Sequence, residues 1–327
     1  NKGPLRKSVP KACRLINLNS KSARRSAFPI AKVIRSEKPD IIISTLAYFN
    51  FTVLIAVFLS GYRPERVVVR EANTPDATLK SLPSERIGKI LYRILYNFAD
   101  CVICNAAFIG LRLESLGVCP RRIAVIPNPV DVSKVRELAS CNIDLPNFKN
   151  AALRTFVSIG RLTRQKGMDR LIDWFSQMES KANLLIIGGG YEYQALIQQI
   201  KKEALEDYVM ILEYAENPFP FMSWADAVIL GSRWEGLPNV ALEAMAIGKP
   251  VYVSSECESL AELKTSHNIP HLMVADGNDA VVDLLNDFVA RFGEKEKNVN
   301  SELPSYLPNE FNVDAVVKRY SKTIFEN

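Results

Sequence analysis

The stretch "AVILGSRWEGLPNVALEAMAIGKPVYVSS", residues 227–255, decides the fold class. It reads as a buried strand, a loop, an apolar helix and a second buried strand. Strands joined through a helix pair in parallel and belong to an α/β sheet. Within the loop, Gly236, Leu237 and Pro238 make a turn. Proline suits the first turn of the following helix. The unbonded N–H groups there and the helix dipole favour an anion. Glu235 precedes the turn, on the side of an open sheet where ligands bind, outside the carboxyl ends of the strands. Glu243 is odder, because it lies among Leu242, Ala244 and Met245. A carboxylate in so apolar a helix must be paired or hydrogen-bonded. Two partners fit: the vicinal hydroxyls of a ribose, or Lys249 in a buried ion pair.

Working outward, "SIGRLTRQKGMDRL" (158–171) is a strand, a glycine and a loop with two cations that enters a helix. Gly160 lets a ligand approach the backbone. Arg161 can clamp one phosphate as a fork and Lys166 another as a point charge. No GK[ST] follows, so this is not a Walker loop. "LLIIGGGYEYQAL" (184–196) repeats the strand–glycine–helix form without GxGxxG, and its glycines can equally serve tight packing. From residue 155 strands and helices alternate in a complete Rossmann-like series, and polar residues 141–152 form the expected linker. Before it, "CRLINLN", "DIIIST", "RVVVRE", "CVICN" and "RIAV" read as strands, with helices over "RRSAFPIAKVIRSEK" and "ERIGKILYRILYNFA". Residues 41–59 carry no charge, yet Ser44, Thr45, Tyr48, Asn50 and Thr52 interrupt them. They read as strand, turn and helix rather than a membrane span.

The 327 residues are 48% hydrophobic and 24% charged, which fits a globular protein with two cores. Six scattered cysteines read as reduced thiols of a cytoplasmic protein, and no secretory signal is expected of the basic opening "NKGPLRKSVPKACR". "CVIC" reads as strand rather than redox motif. His267 and His271 read as solvated loop residues, and no metal site is expected. Charge is lopsided: residues 1–150 hold 24 Lys and Arg against 11 Asp and Glu, leaving 17 against 25 in the remainder. A basic half favours an anionic partner, phosphate or membrane surface. Nucleic acid is disfavoured, because aromatics are not interleaved with the cations of residues 1–38.

Taken together, Gly-Arg-Leu…Lys-Gly at 160–167, the glycine turn at 188–190 and Glu-x7-Glu within "WEGLPNVALEAMA" resemble the retaining glycosyltransferases of family 4. "PNPVD" (127–131) and "NPF" (217–219) extend the likeness, which is closest to bacterial enzymes of O-antigen, capsule and lipid-linked polysaccharide synthesis. The resemblance implies a GT-B fold: two Rossmann-like domains facing a cleft. Residues 1–145 would form the acceptor-side domain, lacking its first βαβ unit. Residues 151–310 would bind the nucleotide sugar, and residues 311–327 would cross back as a helix. It implies hexosyl transfer with retention, without metal or cofactor, from a nucleotide-diphosphate sugar, UDP-linked in first place. Arg161 and Lys166 would hold the diphosphate and Glu243 the ribose. Glu235 would contact the hexose, with the amides of Gly236, Leu237, Pro238 and Asn239 around sugar and phosphate. Gly160 would lie against the donor, and Tyr214 and Ala215 where the base is held. The acceptor would be a saccharide or lipid-linked saccharide at the inner face of the cytoplasmic membrane, with peripheral contact to anionic lipid. A histidine is common in the family where Ala72 stands, so Glu71, Asn73 or the segment missing from the first domain is expected to serve the reacting sugar, or activity to be reduced. A non-catalytic nucleotide-sugar-binding protein of the same fold is the alternative.

Overall fold

The computed structural model describes residues 9–20, 22–144, 146–292 and 304–326. The chain forms two compact units, residues 1–104 with 110–124, and residues 105–109 with 125–327. The first holds a four-stranded sheet, ordered β1 (Ile41–Thr45), β2 (Arg66–Glu71), β3 (Cys101–Cys104), β4 (Ile123–Val125). β2 runs parallel to both neighbours, with Ile41 opposite Arg66 and Glu71 opposite Cys104. The connecting helices are α1 (Ala27–Glu37), α2 (Ala47–Ser60), α3 (Pro75–Ser81), α4 (Glu85–Leu95) and α5 (Ala107–Ser115), the last beginning in residues of the second unit; α6 (Val132–Ala139), beyond β4, belongs to the second unit. The uncharged stretch thus divides into β1 and α2. No helix among the described residues is long and apolar enough to cross a membrane.

One expected strand is missing. Residues 13–19 are irregular and exposed, Leu15 and Ile16 included. A strand needs a ladder partner for its N–H and C=O groups, and no described strand lies beside this segment. "CVIC" is strand β3, buried at all four residues, and desolvation pushes the Cys101 and Cys104 thiols up. They behave as small core hydrophobes.

The second unit contains β5 (Thr155–Ile159), α7 (Met168–Gln177), β6 (Asn183–Ile187), α8 (Tyr193–Lys202), β7 (Val209–Leu212), α9 (Phe219–Trp224), β8 (Ala227–Leu230), α10 (Asn239–Ile247), β9 (Val251–Ser254), α11 (Glu258–His267), β10 (Leu272–Ala275), α12 (Asn278–Phe292) and α13 (Val313–Phe325). Its six strands lie in the order β10-β9-β8-β5-β6-β7, and every paired neighbour is parallel. In the unit's own count this is 3-2-1-4-5-6 read from the other edge, the doubly wound order. The chain leaves β5 toward β6 and β8 toward β9, so their carboxyl ends flank the topological switch point. α10 is apolar all round because it is covered on almost every side: Ala241, Leu242, Ala244, Met245 and Ala246 are fully buried. The linker has no helix or strand, but Phe148 is buried and stacks on Trp224 at 6.4 Å between ring centres.

Candidate functional site

Three loops meet at the carboxyl ends of β5, β6 and β8, and glycines let them meet. A Cβ on Gly188, whose φ is +151°, would stand 1.8 Å from the Gly160 carbonyl oxygen. One on Gly190 would stand 2.2 Å from the Leu162 oxygen, and one on Gly167 2.0 Å from the Gly231 oxygen. Gly188 and Gly190 therefore serve backbone packing. Gly160 differs. A Cβ there would meet only the side chains of Lys166 and Met168, both at 3.4 Å. Its lack of a side chain opens space beside Lys166 rather than relieving a clash.

Into this junction the structure brings two of the expected residues. Lys166 Nζ donates to Glu235 Oε1 at 2.5 Å, and Ser232 Oγ donates to the same oxygen at 2.8 Å. Glu235 is 8% exposed, so its charge is held largely out of water and both donors are needed. Among the described residues nothing bonds its second oxygen, Oε2. Arg233, unremarked in the sequence, forms a fork on Asp169 at 2.8 and 2.6 Å, tying the loop after β8 to the first turn of α7. Burial works to raise the Asp169 carboxyl, but the guanidinium outweighs it and holds the group below its ordinary value. Backbone and side-chain bonds add to this tie: Arg233 N–H donates to the Gln165 oxygen at 2.8 Å, and Gln165 Nε2 to the Trp234 oxygen at 3.1 Å. The sequence offered no signal for the Asp169–Arg233 pair, since its members lie 64 positions apart.

Arg161 follows Gly160 and is exposed, its guanidinium without a bond or ion pair to any described residue. The turn 236–239 caps α10, with Pro238 just before the first helical residue. The amides of Gly236, Leu237 and Asn239 find no acceptor among the described residues. Pro238 has no N–H, so it contributes shape only, which corrects the expectation of four amides. The Leu237 side chain is part of the core. Asn128 of "PNPVD" braces the turn, its Nδ2 donating to the Leu237 oxygen at 2.9 Å and to Asn239 Oδ1 at 2.7 Å.

Glu243 lies on the second turn of α10, half-buried, and nothing bonds it among the described residues. Desolvation alone pushes its carboxyl up. The ion pair with Lys249 is not formed. Tyr214 and Ala215 follow β7, two strands from β5; Tyr214 is 74% exposed and Ala215 half-buried. β7 is two strands from β5 and three from β8, and neighbouring strands are roughly 5 Å apart, which puts Tyr214 and Ala215 about 10–15 Å along the sheet edge from the loops that carry Lys166 and Glu235. "NPF" is structural: Asn217 Nδ2 holds the Leu138 oxygen at 2.9 Å. Both histidines are exposed, as expected, His271 in the turn before β10 and His267 on a helix end rather than in a loop. His267 ends α11 and faces Glu310 at 3.4 Å, and His271 packs on the Tyr306 ring.

In the first unit Glu71 is fully buried at the end of β2. Tyr96 OH donates to Oε2 at 2.6 Å and Tyr92 OH at 3.3 Å, while Oε1 has no partner. Burial pushes its carboxyl from 4.5 up to about 7, against the lowering effect of the two hydroxyls. A side chain so enclosed does not reach a sugar, which overturns the expectation for Glu71. Asn73 spends its Oδ1 on the Thr74 N–H at 2.9 Å.

The two halves match two family models. Residues 144–300 match "Glycosyl transferases group 1" and residues 3–134 match "Glycosyltransferase Family 4". Each model covers less than half of the chain, and together they make its two halves similar to glycosyltransferases; the fold is GT-B. An uncharacterized glycosyltransferase of Methanocaldococcus jannaschii is 28% identical over 72% of this chain and 60% of its own length. A Campylobacter jejuni protein named N-acetylgalactosamine-N,N'-diacetylbacillosaminyl-diphospho-undecaprenol 4-alpha-N-acetylgalactosaminyltransferase is 24% identical over 66% and 58%. The chain thus spans about three fifths of the length of these two relatives. Among solved structures, Anabaena HepE in complex with UDP superposes with TM-score 0.71 at 20% identity, covering 91% of this chain and 82% of that one. At that identity the likeness establishes the GT-B fold alone.

Proposed function

We propose that this glycosyltransferase binds a nucleotide-diphosphate sugar at the switch point of its second sheet. It passes the hexosyl group, with retention, to a saccharide or lipid-linked saccharide. The observation that carries the reading is Glu243: a half-buried carboxylate with no partner among the described residues, on the helix whose first amides find no acceptor there either. A group that costs stability and bonds nothing in its own protein is suited to an outside hydrogen-bond donor, and ribose hydroxyls supply a pair. Arg161 and Lys166 would face the diphosphate, Glu235 Oε2 a sugar hydroxyl, and the exposed Tyr214 ring with Ala215 the base. HepE has been solved with UDP-glucose, and the Campylobacter relative is named for transfer to a diphospho-undecaprenol saccharide. The first favours a UDP-linked donor and the second a lipid-linked acceptor.

In the reaction, the bond from the anomeric carbon to the diphosphate oxygen breaks as the acceptor oxygen bonds that carbon on the same face. The acceptor proton passes to the departing diphosphate. Arg161, Lys166 and the α10 amides stabilise the charge that gathers there. The reading calls for no metal, so chelator leaves the rate unchanged. Glu243→Ala tests it: calorimetry with UDP and a panel of UDP-, GDP- and dTDP-sugars is expected to lose donor binding at unchanged or slightly raised thermal stability. Wild-type affinity in that variant refutes the assignment. A donor-binding protein without transferase activity is the second reading. It is favoured by the enclosure of Glu71 and by Ala72 in place of an ionisable side chain, and an assay with radiolabelled donor and lipid extract separates the two.

A further inference from the structure

We propose that Arg233 is a positioning residue of the donor site: its guanidinium brackets the loop that carries Lys166 and so keeps the Lys166 ammonium on Glu235. The consequence for the donor rests on the reading above; the contacts stand without it. Lysine is a point charge on a flexible stem, so it holds a defined place only where its surroundings fix it. Residues 160–167 form no helix or strand, so the backbone beneath Lys166 has no ladder of its own. Arg233 supplies the support. Its Nη1 donates to the Arg164 carbonyl oxygen at 3.0 Å, two positions before Lys166, and to Asp169 Oδ1 at 2.8 Å, three positions after it. Nη2 closes the fork on Asp169 Oδ2 at 2.6 Å, and the Arg233 N–H holds the Gln165 oxygen at 2.8 Å. One residue thus grips the turn on both sides of Lys166. It also stands between Ser232, which shares Glu235 Oε1 with Lys166, and Glu235 itself.

Charge gives a second reason. Asp169 is the first carboxylate after Lys166 in the chain, and without Arg233 it becomes a rival to Glu235 for the ammonium. A lysine drawn to Asp169 leaves the Glu235 charge with Ser232 alone. Glu192 belongs to the same neighbourhood: burial and the Asp169 charge push its carboxyl up, and Arg233 works against them. Arg233 therefore masks two acids that would otherwise repel a diphosphate beside Lys166. Only a planar fork makes the bonds to Arg164 and to both Asp169 oxygens at once. An ammonium in its place keeps the charge and loses the bracket.

The test labels Lys166 in the full chain, without ligand, by acetic anhydride, and reads its rate by peptide mass spectrometry against the exposed Lys89. In the wild type the Lys166 side chain is 18% exposed and paired, so slow labelling is expected. Arg233→Lys is expected to label Lys166 at least about tenfold faster and to bind UDP at least about tenfold more weakly by calorimetry, the smallest effect of losing a bond to a charged group. Asp169→Asn is expected to do the same, and the double variant no more than either single one, because both act through one fork. Arg154→Lys is the control for lost stability alone. It breaks the Arg154–Asp226 pair before β5, and is expected to lower the melting temperature while Lys166 labelling and UDP affinity stay at wild-type values. Wild-type labelling of Lys166 in folded Arg233→Lys and Asp169→Asn overturns the proposal, whatever UDP does. Faster labelling equally in Arg154→Lys overturns it too, since any loosening of the unit would then free Lys166. Faster labelling in the two fork variants alone, with no UDP binding by the wild type, upholds the positioning of Lys166 and refutes the donor reading instead.

Discussion

Replacing Glu71 by glutamine is expected to remove a pH dependence from the stability of the first unit. In the folded chain burial raises this carboxyl from 4.5 to about 7, because the desolvation of a fully enclosed group outweighs the hydroxyls of Tyr96 and Tyr92. The folded state therefore keeps a proton that the unfolded state releases between about pH 4.5 and 7, and stability falls as pH rises through that window. Below it both states are protonated and the group costs nothing. Above it both are ionised and the cost is constant. A 2.5-unit gap at about 1.4 kcal/mol per unit makes roughly 2–3 kcal/mol between pH 5 and pH 8. Cys104 also faces the carboxyl, and burial pushes its thiol up, so it stays neutral over this range. Tryptophan emission is the wrong probe, since Trp174, Trp224 and Trp234 all lie in the second unit. Hydrogen exchange of β2 and β3 peptides at both pH values, converted to opening free energies, reads the first unit directly. The wild type is expected to lose roughly 2–3 kcal/mol more than Glu71→Gln on going from pH 5 to pH 8. Equal losses in the two proteins would refute the claim that Glu71 is protonated inside the fold.

Other outcomes follow from the second unit. Lys166→Ala leaves the Glu235 charge with Ser232 alone and is expected to cost about 3–5 kcal/mol, read by tryptophan emission in urea. The double variant Lys166→Met/Glu235→Gln is expected to regain most of that stability without regaining donor binding. Gly188→Ala drives a Cβ into the Gly160 carbonyl and is expected to cost at least about 2 kcal/mol. Gly160→Ala is expected to change stability by less than about 1 kcal/mol, yet to weaken donor affinity about tenfold by filling the space beside Lys166; equal stability losses in the two glycine variants would show that Gly160 too serves packing.

The sequence is most legible where structure is local. Strands β1 to β3 and β5 to β9 fall where apolar runs bounded by glycine, proline and polar residues place them. The division of residues 41–59 into strand and helix was visible because five polar residues interrupt the run. Residues 13–19 were misread because their alternation suits a strand equally well with or without a partner, and only the assembled sheet shows that none is there. Glu71 was misread for a related reason. The resemblance offered it as a neighbour of Ala72, and nothing local announces that Tyr92 and Tyr96, from a later helical segment, close over it.

What the residues determined alone was the α/β architecture, the helix start at the 236–239 turn and the presence of cations after Gly160. Periodicity, proline and glycine act within a few positions, so their consequences need no distant partner. Which charges are satisfied was decided only by the tertiary structure. Glu235 found Lys166 69 positions away, Asp169 found Arg233, and Glu243 found no partner among the described residues. Pairing of buried charges depends on distances that strand order sets, and that order, with β8 beside β5, exists only once the sheet has formed.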